Sequence, residues 1–303
     1  LLTKMNYQQW LQQATQALNQ ANSSENGRID ALALLQSVTQ KSRAFILAFG
    51  ETALEKKTLE KLTALLSRRL KGEPIAYLLG EKEFWSLPLA VSEKTLIPRP
   101  DTEILVEKAV EIAIEKLQKC DQHSPCFRIL DLGTGTGAIA LALASELKFV
   151  TQKQQIQLDI IGVDFLPEIV ELARTNAEKN QLNVHFVQSH WFDNVTGKFD
   201  LIVSNPPYID SNDEHLQRGD VRFEPLSALV AEESGYADLR HIIEQAPQYL
   251  TENGYLLLEH GWQQGEKVRS IFQMNLWQNV DTCRDYGNNE RVTLGRWANI
   301  SDK

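Results

Sequence analysis

The chain reads Ile129-Leu130-Asp131-Leu132-Gly133-Thr134-Gly135-Thr136-Gly137-Ala138 at the point that decides its fold. The apolar start predicts a short buried strand, and a helix pattern begins at Ala138. The glycines between them allow a tight turn whose backbone can approach a ligand at the helix N-terminus. Gly133-x-Gly135-x-x-Ala138 also fits the dinucleotide-binding fingerprint in its alanine form. The loop therefore predicts a nucleotide-containing cofactor, with a merely tight turn as the alternative.

Strand and helix patterns alternate after this loop, which predicts an α/β fold with a parallel sheet covered by helices on both faces. The predicted strands are Ile129–Leu132, Ile160–Val163, Val184–Val187, Phe199–Ser204 and Gly254–Glu259, and the helices between them are Ala138–Leu147 and Pro167–Lys179. Two further extended segments, Val280–Cys283 and Arg291–Leu294, predict a closing hairpin-like pair near the end of the chain.

The N-terminal part is predicted to be a separate helical domain. Apolar residues repeat at helical spacing within residues 5–71, with breaks at Asn22-Ser23-Ser24 and Gly50 and a candidate N-cap at Ser42. Residues 75–91 are extended in character, so we expect a β-hairpin linker. The predicted domains are residues 1–73 (helical, substrate docking), 74–94 (hairpin linker) and 95–303 (the catalytic α/β domain).

The composition indicates an ordinary globular protein without a membrane helix or a secretory signal. The 303 residues are 43% hydrophobic and 23% charged, and no apolar run is long enough to span a bilayer. The N-terminus lacks a signal pattern, and Met5 is a candidate natural start. Cys120, Cys126 and Cys283 match no disulfide or zinc spacing, so we expect reduced thiols in a cytoplasmic protein.

The charge distribution is uneven. A net charge of −9 argues against a general nucleic-acid binder, because that affinity comes from neutralising phosphates. Residues 41–71 nevertheless hold eight basic side chains against three acidic ones. This basic cluster is either a solvated helix face or a docking face for an acidic protein.

Asp164 follows the second predicted strand, where doubly wound folds place an acid that binds two ribose hydroxyls. The alternative for Asp164 is a cap of the helix that begins at Pro167. It lies 27 residues beyond Gly137, and the polar stretch Lys148–Gln157 accounts for this long spacing.

The motif Asn205-Pro206-Pro207-Tyr208 follows another apolar strand and suggests amide chemistry. An amide nitrogen is a poor nucleophile, so a site must hold the NH₂ group by its protons and aim the nitrogen. The Asn205 side-chain oxygen and the Pro206 carbonyl can accept those protons, and Tyr208 offers a flat face for stacking. The prolines would keep these acceptors fixed during the reaction. A rigid proline turn with an aromatic plug is the alternative.

Further motifs make the chain resemble the HemK/PrmC family, the release factor glutamine N5-methyltransferases. They are Gly72-Glu73-Pro74-Ile75-Ala76-Tyr77, Glu83-Phe84-Trp85, Ile97-Pro98-Arg99-Pro100-Asp101-Thr102-Glu103, Arg222-Phe223-Glu224-Pro225 and Asn289-Glu290-Arg291. The resemblance covers nearly the whole chain. It implies an N-terminal helical domain, a hairpin linker and a Rossmann-like seven-stranded methyltransferase domain dependent on S-adenosylmethionine.

The resemblance also implies roles for individual residues. Gly133, Thr134, Gly135, Thr136 and Gly137 would cradle the methionine part of S-adenosylmethionine, whose demethylated product is S-adenosylhomocysteine. Asp164 would bind the ribose, and Trp191, otherwise a candidate core aromatic, would pack near the adenine. Asn205, Pro206, Pro207 and Tyr208 would bind the glutamine of the Gly-Gly-Gln loop of class I peptide-chain release factors. Among them, Asn205, Pro206 and Tyr208 would be the catalytic residues, and Asn205 would also contact the cofactor. Leu96 departs from the family, since relatives often carry an aromatic residue there.

Three other functions compete with this one. A nicotinamide-dependent oxidoreductase would need a hydride-transfer dyad, and no Tyr-x-x-x-Lys occurs in the chain. An adenine or guanine exocyclic-amine methyltransferase would need a basic target-recognition region, whereas the predicted catalytic portion is acidic. A non-enzymatic binding module does not require an intact Asn205–Tyr208 motif.

Asp213-Glu214-His215 and Glu259-His260 lack a second histidine at ligand spacing, so no metal site is predicted.

Overall fold

The computed structural model describes residues 4–21, 26–119 and 126–298. The predicted break at Asn22-Ser23-Ser24 and Cys120 lie outside these residues. The chain divides into two compact units. One comprises Leu1–Glu81 with Glu214–Phe223, and the other comprises Lys82–Asp213 with Glu224–Lys303.

The described α-helices of the smaller unit are α1 (Tyr7–Gln20), α2 (Gly27–Thr39), α3 (Arg43–Ala48), α4 (Lys56–Leu70) and α5 (Ile75–Leu79). Their apolar faces enclose one core that includes Trp10, Leu18, Leu35 and Leu62. Ser42 caps α3 as predicted, because its side chain accepts a hydrogen bond from the Phe45 amide at 3.2 Å.

The extended conformation predicted for Ile75–Leu79 is wrong, since these residues form α5. Pro74 occupies the N-cap with φ −55°, and Gly80 ends the helix with φ +72°. A left-handed glycine after the last turn is a common helix C-cap, so Gly80 terminates this helix. The hairpin that follows is shorter than predicted, with β1 (Glu81–Phe84) and β2 (Leu87–Ala90).

The basic cluster of residues 41–71 is not uniformly solvated. Arg69 is 6% exposed, and its guanidinium pairs with Asp30 at 2.7 Å and Asp220 at 3.5 Å. Arg68 pairs with Glu73. Arg69 is therefore part of the internal structure of the smaller unit, whereas Lys56, Lys57 and Lys61 are exposed.

A seven-stranded sheet with strand order β5-β4-β3-β6-β7-β9-β8 forms the centre of the larger unit. Its strands are β3 (Cys126–Leu132), β4 (Gln157–Asp164), β5 (His185–Gln188), β6 (Phe199–Ser204), β7 (Leu250–Glu259), β8 (Gln278–Arg284) and β9 (Glu290–Arg296). The helices are α6 (Glu103–Lys119), α7 (Ala138–Gln154), α8 (Pro167–Lys179), α9 (Glu232–Gly235), α10 (Ala237–Gln245) and α11 (Gly265–Met274). The predicted α/β fold with a seven-stranded sheet is confirmed.

The first five strands in chain order within this sheet run parallel, and β9 is antiparallel to both β7 and β8. Helix α7 continues to Gln154 instead of ending at Leu147, so the polar stretch that lengthens the path to Asp164 is largely helical. Within this extension Thr151 is buried, and its hydroxyl donates to the Leu147 carbonyl at 2.9 Å.

Strand order reverses at β3, which lies between β4 and β6. Leu132 is level with Val163 on one side and Ser204 on the other, so the three strands end at the same edge. In doubly wound folds, ligands bind in the crevice at this edge. The loops that begin after Leu132, Val163 and Ser204 therefore meet at one place. Among the described residues, no helix is long and apolar enough to cross a membrane.

Candidate active site

A cavity of about 460 Å³ opens at the carboxyl edge of β3, β4 and β6. This volume is in the usual range for a small-molecule site. Eight of the residues predicted from sequence line it: Gly133, Thr134, Gly135, Thr136, Asp164, Trp191, Asn205 and Pro207. Gly137, Pro206 and Tyr208 are not among the described residues that line it.

The glycine loop is shaped by positive backbone angles and by close packing. Gly133 has φ +67°, and a Cβ there would lie 3.4 Å from the Trp191 ring. The aromatic side chain therefore rests against the loop, and it is the positive φ of Gly133 that favours glycine at this position. Gly137 has φ +83° and serves as the N-cap of α7, which keeps the first amides of that helix at the cavity.

The Asp131 side chain holds the same loop through hydrogen bonds. Its Oδ2 accepts hydrogen bonds from the Thr134 hydroxyl at 2.6 Å and the Ala140 amide at 3.3 Å. Complete burial raises the pKa of the Asp131 carboxyl to about 7, and these hydrogen bonds offset the effect only in part. The sequence reading did not single out Asp131, although an acid directly before a glycine loop was a usable signal.

Asp164 lies at the end of β4 with its carboxylate turned to the glycine loop. Oδ2 accepts the Gly135 amide at 2.9 Å, and burial raises the pKa of the group. The Leu166 amide lies 3.5 Å from Oδ1, at the outer limit for a hydrogen bond. Since Leu166 is the N-cap of α8 and no side chain caps that helix, the helix-cap alternative has little support.

Trp191 adopts a left-handed backbone conformation, with φ +47°. Its indole N–H hydrogen-bonds Asp238 of α10, which opposes the rise that burial causes in the Asp238 pKa. Asp238 and the exposed Phe165 also line the cavity. Asp238 could not be predicted from the sequence, because only the fold brings α10 to this edge, whereas Phe165 directly follows Asp164 and was missed despite that signal.

The Asn205–Tyr208 motif is held by several hydrogen bonds. Ser204 Oγ donates to the Leu132 carbonyl at 2.7 Å, and the Tyr208 and Ile209 amides donate to the Leu229 carbonyl. The Gln264 side chain donates to the Tyr208 carbonyl at 3.0 Å. These contacts fix the backbone on both sides of the two prolines.

The side chains of Asn205 and Tyr208 have different hydrogen-bond partners. Asn205 Nδ2 donates to Thr102 Oγ1 at 3.3 Å, which leaves Oδ1 as the free acceptor. The Tyr208 hydroxyl donates to Glu259 Oε1 at 3.4 Å, and neither residue is among the described residues that line the cavity. Burial raises the Tyr208 pKa far above its ordinary value and the Glu259 pKa to about 7.

The segment 97–103 is fastened from two directions. The buried Glu224 accepts the Ile97 amide at 3.0 Å and pairs with the Arg99 guanidinium. Arg291 pairs with Asp101 at 3.1 Å and with Asp285 at 3.1 Å. Glu224 thus has a definite structural role in holding this segment, and Leu96 beside the segment lines the cavity.

No group of three or more possible metal ligands occurs in the described part of the chain. His260 is buried, with Nε2 at 2.8 Å from Thr293 Oγ1 and Nδ1 at 2.9 Å from the Gly261 carbonyl. Burial lowers its pKa, so it is a neutral core histidine. Cys126 and Cys283 are unpaired thiols.

Two protein families match the chain. Residues 123–292 match the family described as methyltransferase domain, and residues 9–80 match the PrmC N-terminal domain. The catalytic domain of hMettl16 in complex with an RNA hairpin has a similar fold, with a TM-score of 0.53 and 16% identity over 82% of this chain and 84% of that one.

Curated relatives are much closer in sequence. The release factor glutamine methyltransferase of Haemophilus influenzae is 70% identical, over 97% of this chain and 99% of its own length. The enzymes of the same name from Pasteurella multocida and Escherichia coli are 60% and 56% identical, each over 97% of this chain and 100% and 99% of their own. The resemblance predicted from the motifs is confirmed, and the chain belongs to the family of release factor glutamine methyltransferases.

Proposed function

We propose that this chain transfers a methyl group from S-adenosylmethionine to the side-chain amide nitrogen, N5, of a glutamine in a peptide-chain release factor. One observation carries the proposal: the Asn205 side chain opens on the same cavity as the glycine loop and Asp164. A cofactor cradle and an amide-binding acceptor therefore share one space. The same space would bring the methyl donor and the amide acceptor together.

The cavity fits S-adenosylmethionine by size and by chemistry. The amides of the glycine loop and the start of α7 can bind its methionine part, and Asp164 can accept from two ribose hydroxyls. Trp191 and Phe165 provide flat apolar surface for the adenine. When bound, the cofactor supplies an electrophilic methyl group on a sulfonium sulfur.

The amide of the substrate must be held in one orientation. Asn205 Oδ1 and the Pro206 carbonyl would accept its two N–H protons and leave the nitrogen facing the methyl group. The fixed backbone around the two prolines keeps these acceptors in place, so little reorganisation is needed during the reaction. Tyr208 helps to fix this arrangement, because its hydroxyl donates a hydrogen bond to Glu259.

The reaction balances without a dedicated base. The carbon–sulfur bond breaks as the carbon–nitrogen bond forms, and the nitrogen becomes cationic. It then loses one proton to water, which restores the neutral amide. The acceptor oxygens around the nitrogen stabilise the positive charge while it develops.

The proposed protein substrate is a class I release factor, through the glutamine of its Gly-Gly-Gln loop. Names of the relatives support this choice, since each is a release factor glutamine methyltransferase. The exposed lysines of α4 would favour an approach by an acidic protein.

The test is incubation with labelled S-adenosylmethionine and, in parallel, a purified class I release factor, its Gln→Ala variant at the Gly-Gly-Gln loop, DNA and RNA. We expect label only on the unmodified release factor and a mass increase of one methyl group on that glutamine. Label on DNA or RNA alone would instead support the exocyclic-amine alternative and contradict the proposal.

A further inference from the structure

A buried carboxyl group lies behind the Asn205–Tyr208 motif and is not part of the cavity lining. Glu259, at the end of β7, is 2% exposed, and its Oε2 has no hydrogen-bond partner among the described residues. The groups that face it are Thr102, Tyr208, Asp101 and Arg291. Burial of a polar atom without a hydrogen-bond partner reduces the stability of the folded state. The position of Glu259 in a tightly packed site therefore requires an explanation.

Thr102 connects this carboxyl group to Asn205. Thr102 is 5% exposed, and its hydroxyl accepts the Asn205 Nδ2–H at 3.3 Å and also faces Glu259, whose pKa it lowers by hydrogen bonding. A hydroxyl has only one proton to donate. If Thr102 accepts from Asn205, its own proton is free for Glu259.

The direction of these hydrogen bonds decides which end of the Asn205 amide faces the cavity. With Nδ2 on Thr102, Oδ1 is presented to the ligand. If the Thr102 proton instead pointed at Asn205, the amide would turn over and present NH₂. Two amide NH₂ groups would then face each other, and the substrate amide would lose its acceptor.

We propose that Glu259 and Thr102 are positioning residues that hold the Asn205 side-chain amide with its oxygen towards the substrate. The Glu259 carboxylate accepts a hydrogen bond from the Thr102 hydroxyl and another from the Tyr208 hydroxyl. One carboxylate therefore fixes the orientation of Asn205, through Thr102, and of Tyr208. This inference rests on the proposed function, because it concerns the orientation of the same substrate amide.

The main variant is Thr102→Val, which keeps the shape of the side chain and removes its hydroxyl. Thr102→Ser restores a hydroxyl and should restore activity. Thr151→Val is the matched control, since Thr151 is 2% exposed and its hydroxyl donates only to carbonyl groups of α7. Glu259→Gln adds a variant of nearly equal volume, in which an NH₂ group replaces one acceptor.

The measurements are kcat and KM for a purified release factor at pH 8, above the Glu259 pKa of about 7, with cofactor affinity by calorimetry. We expect kcat to fall about 10- to 100-fold in Thr102→Val and Glu259→Gln, as small misplacements of a reacting group do. Cofactor affinity and melting temperature should stay close to those of the unaltered protein. Thr102→Ser and Thr151→Val should keep kcat within about twofold of it.

An unchanged kcat in Thr102→Val or in Glu259→Gln would overturn the inference while leaving the proposed function intact. A Thr102→Ser variant as impaired as Thr102→Val would also overturn it, because packing and not the hydroxyl would then matter. Failure of the unaltered protein to methylate the release factor would count against the proposed function itself.

Discussion

The Asp164 carboxylate accepts a hydrogen bond from the Gly135 amide at 2.9 Å, so the acid after β4 is fastened to the glycine loop after β3. Through this contact, one side chain can serve two purposes. Oδ2 holds the loop, and the carboxylate as a whole remains at the cavity surface. A ligand that bonds to Asp164 would therefore also stabilise the glycine loop.

Asp164→Ala and Asp164→Asn should separate these two purposes. Asparagine keeps an oxygen for the Gly135 amide but loses the charge that strengthens bonds to ribose hydroxyls. We expect cofactor affinity to fall in the order Asp, Asn, Ala, with a loss on the order of 1.5–3 kcal/mol for each charged hydrogen bond removed. Calorimetry with S-adenosylhomocysteine measures it, and equal dissociation constants for all three proteins would remove Asp164 from the cofactor site.

Asn205→Ala should lower the rate of methyl transfer by roughly a hundred- to a thousand-fold, about 2.7–4 kcal/mol, because a positioned acceptor is lost. Cofactor affinity should fall modestly at most. Asn205→Asp keeps an acceptor oxygen and adds a charge that can favour the developing cation. Single-turnover rates for both variants test this. Activity in the Asp variant beside an inactive Ala variant would support the acceptor role, and an active Ala variant would contradict it.

Asp131→Asn should stabilise the protein more at pH 8 than at pH 5. The Asp131 pKa is raised from 3.8 to about 7 by burial, so the folded state holds this proton more tightly than the unfolded state. Stability from the neutral acid is present at low pH and is lost as pH rises from about 4 through 7. Asparagine carries no such charge, so the gain between pH 5 and pH 8 should reach at most about 3 kcal/mol.

Urea unfolding at the two pH values measures this difference for Asp131. Asp193→Asn is the control, because the Asp193 side chain is 73% exposed and should show no comparable gain. A gain in Asp131→Asn that is equal at both pH values would mean that the carboxyl is ionised throughout this range.

Replacing Lys56, Lys57 and Lys61 with glutamine should slow methylation of a full-length release factor but spare a short Gly-Gly-Gln peptide. These three side chains are exposed on α4, and long-range attraction of an acidic partner acts mainly on the association rate. The effect should shrink as salt rises. The comparison is kcat/KM at low and high salt.

Lys148, Lys153 and Lys179, changed together to glutamine, remove the same charge from the larger unit and serve as the control. If both triple variants slow the reaction equally, only the net charge matters. If neither does, the α4 lysines are simply a solvated face.

Much of the catalytic fold follows from local sequence. The bounds of β6 and α8 agree with the prediction, since a buried apolar strand and a proline-initiated helix have strong local signals. The glycine loop, Asp164 and Asn205 could be placed together because parallel strands end at one edge of the sheet. Membership of the family could also be predicted from the sequence, because the motifs of the family are short and contiguous.

Predictions from local patterns were wrong where the same residues fit two different structures. Ile75–Leu79 reads as a strand by its apolar content, yet capping by Pro74 and Gly80 makes it a helix. The basic cluster reads as one surface, yet Arg69 is buried because Asp30 and Asp220 lie within reach of it. Neither acid is near Arg69 in sequence.

By itself, the sequence determined the strand–loop–helix units, the chemistry carried by each loop and the family. Only the tertiary structure decided which side chains support those loops: Thr102 and Glu259 behind Asn205, Asp238 beside Trp191, and Glu224 beneath Arg99. These partners are separated by 47 to 125 residues along the chain. Their contacts depend on strand order, register and burial, which arise from packing of the whole domain and leave no periodic pattern in the sequence.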